Sequence, residues 1–135
     1  MWTGLSIKRS CEVSGNNIVA DTSVLINFFN GTKPADEVLR DQHIWVSAIS
    51  EIELLNYSAL TSSQTTLIRS FLDECVVVEL TRPIREIAIT VRKTKKLKLP
   101  DAVIAATSIH LDFPLVSMDR DFENLEDLNA VIIDL

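Results

Sequence analysis

The chain has 135 residues, of which 47% are hydrophobic and 24% charged, and its formal net charge is −6. This composition is typical of one globular domain with its own core, and it excludes collagen-like, low-complexity and disulfide-scaffold proteins. No apolar run approaches the roughly 20 residues that span a bilayer, and we see no secretory signal, so we expect a cytoplasmic protein. Cys11 and Cys75 match no metal-binding spacing and fit a reducing compartment.

Short apolar segments alternate with helical patterns along the chain. We predict five strands, at residues 18–20, 43–46, 75–78, 115–117 and 131–133. The predicted helices cover residues 22–29, 34–40, 47–60, 64–73, 83–97 and 100–110. Asn30 and Gly31 mark the end of the first helix, and Ser47 is expected to cap the third. Residues 1–16 are polar and irregular, which predicts an N-terminal extension ahead of one domain over residues 17–135.

Strands separated by helices indicate an α/β fold with a parallel sheet that is buried on both faces. In such sheets, ligands bind beyond the carboxyl ends of the strands, where the strand order reverses. If the order is 3-2-1-4-5, which is an assumption, Asp21 after the first strand faces Asp119 and Asp121 after the fourth. Taken singly, an acid at the end of a strand is more often a turn residue or a helix cap.

Two predicted helices carry further acids. Asp101 lies in the first turn of the last helix, where it could complement the helix dipole or reach the same crevice. The helix after the second strand carries Glu51 and Glu53, which are two residues apart and therefore point to different faces. Because this helix is apolar on most sides, periodicity does not choose between the two glutamates.

Several carboxylates in one crevice repel one another unless a cation lies between them. Their oxygen ligands favour hard divalent ions such as Mg²⁺, which usually keeps waters and substrate phosphate oxygens among its ligands. His43 and His110 show no zinc-ligand spacing, and neither is placed to serve a Ser or Cys nucleophile. The sequence therefore predicts a site for a divalent ion held by carboxylates.

A basic segment contrasts with the acidic chain. Residues 82–98 hold seven Lys or Arg and one Glu, so the segment has a net charge of +6 and the remainder −12. Most charge runs are solvated helix faces. A basic face can also follow the phosphates of a nucleic acid, so the charge pattern alone leaves both interpretations open.

Four segments resemble the motifs of the PIN-domain nucleases, and most of all the VapC-type toxins of bacterial toxin–antitoxin pairs. They are ADTSVLI at 20–26, VSAISEIELL at 46–55, KLPDAVIAAT at 98–107 and LVSMDRDF at 115–122. The resemblance extends over about residues 17–135. It implies a three-layer α/β/α sandwich with a parallel five-stranded sheet of order 3-2-1-4-5, and a Mg²⁺- or Mn²⁺-dependent endoribonuclease.

The resemblance also implies a set of site residues. The implied catalytic acids are Asp21, Glu53, Asp101 and Asp119, and the implied metal ligands are Asp21, Asp101 and Asp119. Glu53 is preferred because the family has its acid just before a leucine, and Glu51 remains its rival. The implied accessory residues are Asp121, Ser117 and Thr22. Ser23 stands where many members of the family have asparagine.

The implied partners are an RNA substrate, an antitoxin whose tail enters the active-site groove, and a second copy of the chain. Weak RNA contacts are predicted for Arg92, Lys93, Lys95, Lys96 and Lys98. The apolar first helix could contribute to a dimer interface or simply pack in the core. Two other functions are alternatives: a non-catalytic interaction module with the same fold, and a phosphotransfer domain. The second is disfavoured because Ser23, not an acid, stands two residues after Asp21.

Overall fold

The computed structural model describes residues 16–134. In this part of the chain, five strands form one sheet, and six helices pack around it. The strands are β1 (Asn17–Ala20), β2 (His43–Ser47), β3 (Val76–Val78), β4 (Leu115–Ser117) and β5 (Ala130–Ile132). The helices are α1 (Thr22–Phe29), α2 (Lys33–Leu39), α3 (Ala48–Leu55), α4 (Ser62–Glu74), α5 (Arg82–Thr94) and α6 (Leu99–Leu111). The predicted N-terminal extension lies outside the described residues except for Asn16. None of the helices between residues 16 and 134 is both long and apolar enough to cross a membrane.

The five strands form one parallel sheet in the order β3-β2-β1-β4-β5, which confirms the predicted order. Strand β1 lies between β2 and β4 and pairs in parallel with both. The chain first builds the sheet from β1 towards β3 and then from β4 towards β5, so the strand order reverses between β1 and β4. Side chains that follow these two strands therefore meet at one edge of the sheet.

Side chains of β1 alternate between two hydrophobic cores on opposite faces of the sheet. Ile18 and Ala20 pack in the core that includes α1, α2 and α4. Val19, between them, packs in the core formed with α5 and α6. Because helices cover both faces, the predicted α/β/α sandwich is confirmed.

The apolar first helix packs into the interior of the domain. Its buried side chains, none more than 3% exposed, are Val24, Leu25, Phe28 and Phe29. The rings of Phe28 and Phe29 lie 5.3 and 5.1 Å from the ring of Phe71 on α4. The interpretation of these side chains as a dimer interface is therefore wrong, because core packing accounts for all four.

Helix α3 differs most from its predicted bounds. The hydroxyl of Ser47 caps it as predicted, accepting a backbone hydrogen bond of 3.2 Å. The helix ends at Leu55 rather than at residue 60. Asn56 follows as the C-terminal cap, and Ala59 adopts a left-handed conformation with φ of 64°, which a right-handed helix cannot contain. Leu60 still packs against the core, so its apolar character extended the predicted helix falsely.

Helix α5 ends at Thr94 rather than at residue 97. Lys95 takes an extended conformation with φ of −135°, and Leu97 reaches the core from this non-helical linker. The apolar Leu97 thus extended the predicted α5 falsely, as Leu60 extended the predicted α3. The linker brings Lys98, the first residue of the third motif, to the start of α6. The other predicted bounds agree with the structure to within two residues, and those of α1 and β4 coincide with it.

Candidate functional site

Acidic side chains meet where β1 and β4 lie side by side. A cavity of about 610 Å³ opens at the carboxyl edge of the sheet. Its acidic lining comes from four places: Asp21 after β1, Glu53 on α3, Asp101 on α6 and Asp119 after β4. The structure thus brings together the four acids that were predicted to be catalytic. Glu51 does not line this cavity.

Asp21 is buried, with 4% of its surface exposed. It occupies the N-cap position of α1, but its side chain makes no capping hydrogen bond. Its Oδ2 instead accepts hydrogen bonds of 2.7 Å from the hydroxyls of Ser23 and Ser117. Hydrogen bonds to an ionised carboxylate are stronger than those between neutral groups. The two hydroxyls therefore hold the carboxylate of Asp21 in one orientation, and a capping role does not account for this residue.

Glu53 is held by a chain of hydroxyl groups. Oγ1 of Thr22 lies 2.6 Å from Oε1 of Glu53 and 2.9 Å from Oγ of Ser50. An ionised carboxylate only accepts, and a hydroxyl has one proton to donate. Thr22 is the donor towards both acceptors, so its single proton is shared between Glu53 and Ser50, and Ser50 is fully buried. Sequence reasoning did not identify Ser50, because a serine inside an apolar helix gives no signal of a polar contact.

Three aspartates bring carboxylate oxygens within 4.8 Å of one another: Asp101, Asp119 and Asp121. Asp119 also caps the short 3₁₀ turn that follows β4, because its Oδ1 accepts a hydrogen bond of 2.8 Å from the amide of Asp121. The predicted metal ligands included Asp21 where this group has Asp121. Asp21 lines the cavity together with Asp101 and Asp119, whereas Asp121 is not among its lining residues.

Burial, together with the crowding of acids, raises the pKa of Asp101 from its ordinary value of 3.8 to about 6. Partial burial is the main cause, since it disfavours the charged form. The negative charges of Asp21, Asp119 and Glu53 add to the increase, whereas the positive charge of Lys98 lowers this pKa. Asp101 therefore experiences the electrostatic field of the whole acidic cavity, and a bound cation would relieve its repulsion.

Replacement of Asp101 by asparagine should stabilise the protein in the absence of divalent ions. A pKa that is raised on folding means that ionisation of Asp101 opposes folding. Asp101 therefore favours the folded state when it is protonated. This stability should be lost as the pH rises from about 4, the ordinary pKa, through about 6, the raised pKa. Asp101→Asn should thus melt at a higher temperature than wild type at pH 8 in EDTA.

The same comparison at pH 4 serves as the control, because Asp101 is then largely protonated and asparagine resembles it. The difference between the two melting temperatures should become small at that pH. An equal difference at pH 4 and pH 8 would show that ionisation of Asp101 does not cause the stabilisation.

The loop after α3 contributes part of the cavity wall. Asn56, Tyr57 and Ser58 line the cavity beside the acids. Sequence reasoning missed these residues because it extended α3 through them. The polar pair Asn56 and Ser58 within an apolar run was the available signal that the helix ends there.

The five predicted RNA-binding residues are all exposed. Lys98 lies near enough to Asp101 to lower its pKa. Arg92 and Lys93 line a cleft of about 540 Å³ between α5 and α6. Lys95 lines a different cleft, of about 380 Å³, together with acidic residues. Lys96 lies in the linker between the two helices. The structure thus places only Lys98 beside the acids.

The sequence profile of the PIN domain matches residues 18–128. A chain of a toxin–antitoxin complex from Klebsiella pneumoniae is similar in structure, with a TM-score of 0.76 and 27% identity, over 84% of this chain and 95% of that one. No curated protein matches the sequence significantly.

Two further solved structures share the fold at lower identity. A chain of VapBC2 from Rickettsia felis, bound to a fragment of promoter DNA, has a TM-score of 0.75 and 17% identity, over 87% of this chain and 99% of that one. A chain of DNA-bound VapBC from Salmonella typhimurium has a TM-score of 0.73 and 15% identity, over 86% and 97% of the two chains.

Proposed function

Because the chain belongs to the PIN-domain family, we propose that it is a divalent-metal-dependent endoribonuclease and the toxin of a toxin–antitoxin pair. One observation carries the proposal: Asp21, Glu53, Asp101 and Asp119 line a single cavity at the point where the strand order reverses. These residues come from four separate parts of the chain. No requirement of the fold explains why four acids should be gathered at a cost in electrostatic repulsion.

The lining residues fit a hard divalent ion. The residues that line the cavity include no histidine or cysteine, so carboxylate oxygens are the ligands on offer. The oxygens of Asp101, Asp119 and Asp121 lie within 4.8 Å of one another, which is close enough for one ion to be held between them. The raised pKa of Asp101 indicates the repulsion that such an ion would remove.

The proposed mechanism is hydrolysis of an RNA phosphodiester bond. A divalent ion bound to the aspartates would supply Lewis-acid chemistry, lowering the pKa of water and offsetting charge on the phosphate. Asp21, kept in one orientation by two hydroxyls, would be a ligand together with Asp101 and Asp119. Glu53 is held at Oε1 by Thr22, and its other oxygen would accept the proton of the attacking water.

Basic side chains would bind the RNA backbone. Lys98 is the basic residue beside the acids, where its positive charge lowers the pKa of Asp101. Contacts of this kind release counterions, so the affinity for RNA should fall as the salt concentration rises. The choice of RNA as substrate rests on the resemblance to VapC-type toxins.

An antitoxin partner is supported by a second cleft next to the acids. This apolar cleft, of about 130 Å³, includes Phe29, Leu54 and Ile68 among its lining residues. It shares Ile26 and Tyr57 with the acidic cavity, so one peptide could occupy both. The toxin–antitoxin complexes among the structures of similar fold agree with such a partner. We propose that the toxin and its antitoxin are located in the cytoplasm.

Self-association of the chain is also part of the proposal. Leu80, Ile89 and Leu99 are between 40% and 56% exposed and line the cleft between α5 and α6. Exposed aliphatic side chains that lie together favour contact with another protein surface. A homodimer through this cleft would be detected as twice the mass of 15.1 kDa by light scattering.

Incubation of total cellular RNA with the protein tests the proposed function. We expect cleavage with Mg²⁺ or Mn²⁺ and none with EDTA. The same ions should raise the melting temperature, because a ligand that binds only the folded state stabilises it. Mapping the ends of the fragments would identify the substrate.

The alternative, a non-catalytic interaction module, predicts a different pair of results. It requires no cleavage with either ion and a melting temperature that the ions do not change. That outcome would contradict the proposed nuclease. Cleavage that persists in EDTA would contradict the role of the metal while leaving the nuclease in place.

A further inference from the structure

Two serine hydroxyls connect Asp21 to the backbone that follows β4. Oγ of Ser23 donates to Oδ2 of Asp21 at 2.7 Å and accepts a hydrogen bond of 3.2 Å from the amide of Met118. Oγ of Ser117 donates to the same Oδ2 at 2.7 Å and accepts one of 2.9 Å from the amide of Asp119. Each hydroxyl thus joins the carboxylate to one backbone amide.

The two serines differ in where they come from. Ser117 is the last residue of β4 and therefore belongs to the segment that it holds. Ser23 lies in the first turn of α1, 95 residues away from Met118 in sequence. It is the hydroxyl by which α1 contacts the segment that leads into Asp119. Without it, the amide of Met118 would lose its acceptor, which costs free energy in a partly buried position.

We propose that Ser23 is a positioning residue of the metal site. Its hydroxyl keeps Asp21 and the Met118–Asp119 segment at a fixed separation, so that the carboxylates of Asp21 and Asp119 are arranged before an ion binds. Both hydroxyl donors use Oδ2, which leaves Oδ1 of Asp21 for a ligand. The inference rests on the proposed function, because it presumes that a divalent ion binds to these aspartates.

Mn²⁺ titration of the full-length protein tests this inference, with the free ion measured by its electron paramagnetic resonance signal. Loss of a hydrogen-bonding partner of a metal ligand typically weakens metal affinity by about 10- to 100-fold. We expect a loss of that size for Ser23→Ala and near wild-type affinity for Ser23→Thr, which restores the hydroxyl. Ser70→Ala, at an exposed position on α4, is the matched control and should leave the affinity unchanged.

Ser23→Val complements this series because valine has the shape of threonine without the hydroxyl. If Ser23→Ala does not fold, the comparison of Ser23→Thr with Ser23→Val provides the same measurement. Equal Mn²⁺ affinity in wild type and Ser23→Ala, or in the Thr and Val variants, would overturn the inference while the proposed function stands. If the wild type itself binds no Mn²⁺, the proposed metal site fails and this inference fails with it.

Discussion

Replacement of Asp21 by asparagine should abolish metal-dependent RNA cleavage while the protein remains folded. The change removes one negative charge from the cavity and a carboxylate oxygen from the proposed ligand set. The cleavage rate should fall at least about 100-fold, the upper end of the effect for residues that only support a ligand. The amide oxygen of asparagine can still accept hydrogen bonds from Ser23 and Ser117, so the local packing should survive.

Two measurements on Asp21→Asn test this prediction. The rate of RNA cleavage in Mn²⁺ reports the loss of activity, and the melting temperature in EDTA reports whether the protein stays folded. Asp73→Asn is the matched control, because it makes the same chemical change at an exposed position on α4. Asp73→Asn should cleave like wild type. Cleavage by Asp21→Asn at the wild-type rate, with the same ion, would show that Asp21 is not part of the active site.

Replacement of Glu53 by glutamine should also lower the cleavage rate strongly, by about 100-fold or more if Glu53 accepts the proton of the attacking water. Glu53 lines the acidic cavity and receives the hydroxyl of Thr22. Glutamine has nearly the same shape and keeps an oxygen for Thr22, but it cannot accept the proton. The expected loss is therefore one of turnover rather than of folding.

Glu51 provides the control for this experiment, because it is an acid on the same helix and only two residues away. Glu51→Gln removes a charge in the first turn of α3, which costs the helix about 0.3–1 kcal/mol at most. It should not change cleavage, since Glu51 lies outside the cavity lining. A larger loss of activity in Glu51→Gln than in Glu53→Gln would reverse the assignment of the two glutamates.

The acids themselves could be found in the sequence because strand ends are recognisable there. Short β-branched or apolar segments located β1 and β4. Asp21 follows β1 directly, and Asp119 and Asp121 lie in the turn after β4. The position of Asp101 in the first turn of α6 followed from Pro100. What local pattern could not provide was the choice between Glu51 and Glu53, because the faces of α3 are similar in hydrophobicity. The resemblance favoured Glu53, and the structure places Glu53, not Glu51, at the cavity.

The sequence pattern placed the ends of two helices, α3 and α5, too late. Leu60 and Leu97 continue the apolar character of α3 and α5 beyond the last helical residue, and both contact the core from non-helical segments. Hydrophobic pattern reports that a side chain is buried, but it does not report the backbone conformation that buries it. The early end of α3 has a consequence for the site, since it turns Tyr57 and Ser58 towards the acids.

The sequence by itself determined the α/β class and the positions of the acids, because both depend on properties of neighbouring residues: hydrophobic periodicity, strand ends and helix starts. Only the tertiary structure decided the contacts between distant residues. The hydrogen bond from Ser117 to Asp21 joins residues 96 positions apart, and the contact of Thr22 with Glu53 joins residues 31 positions apart. Such contacts follow from how the strands are ordered in the sheet, and no local pattern records that order.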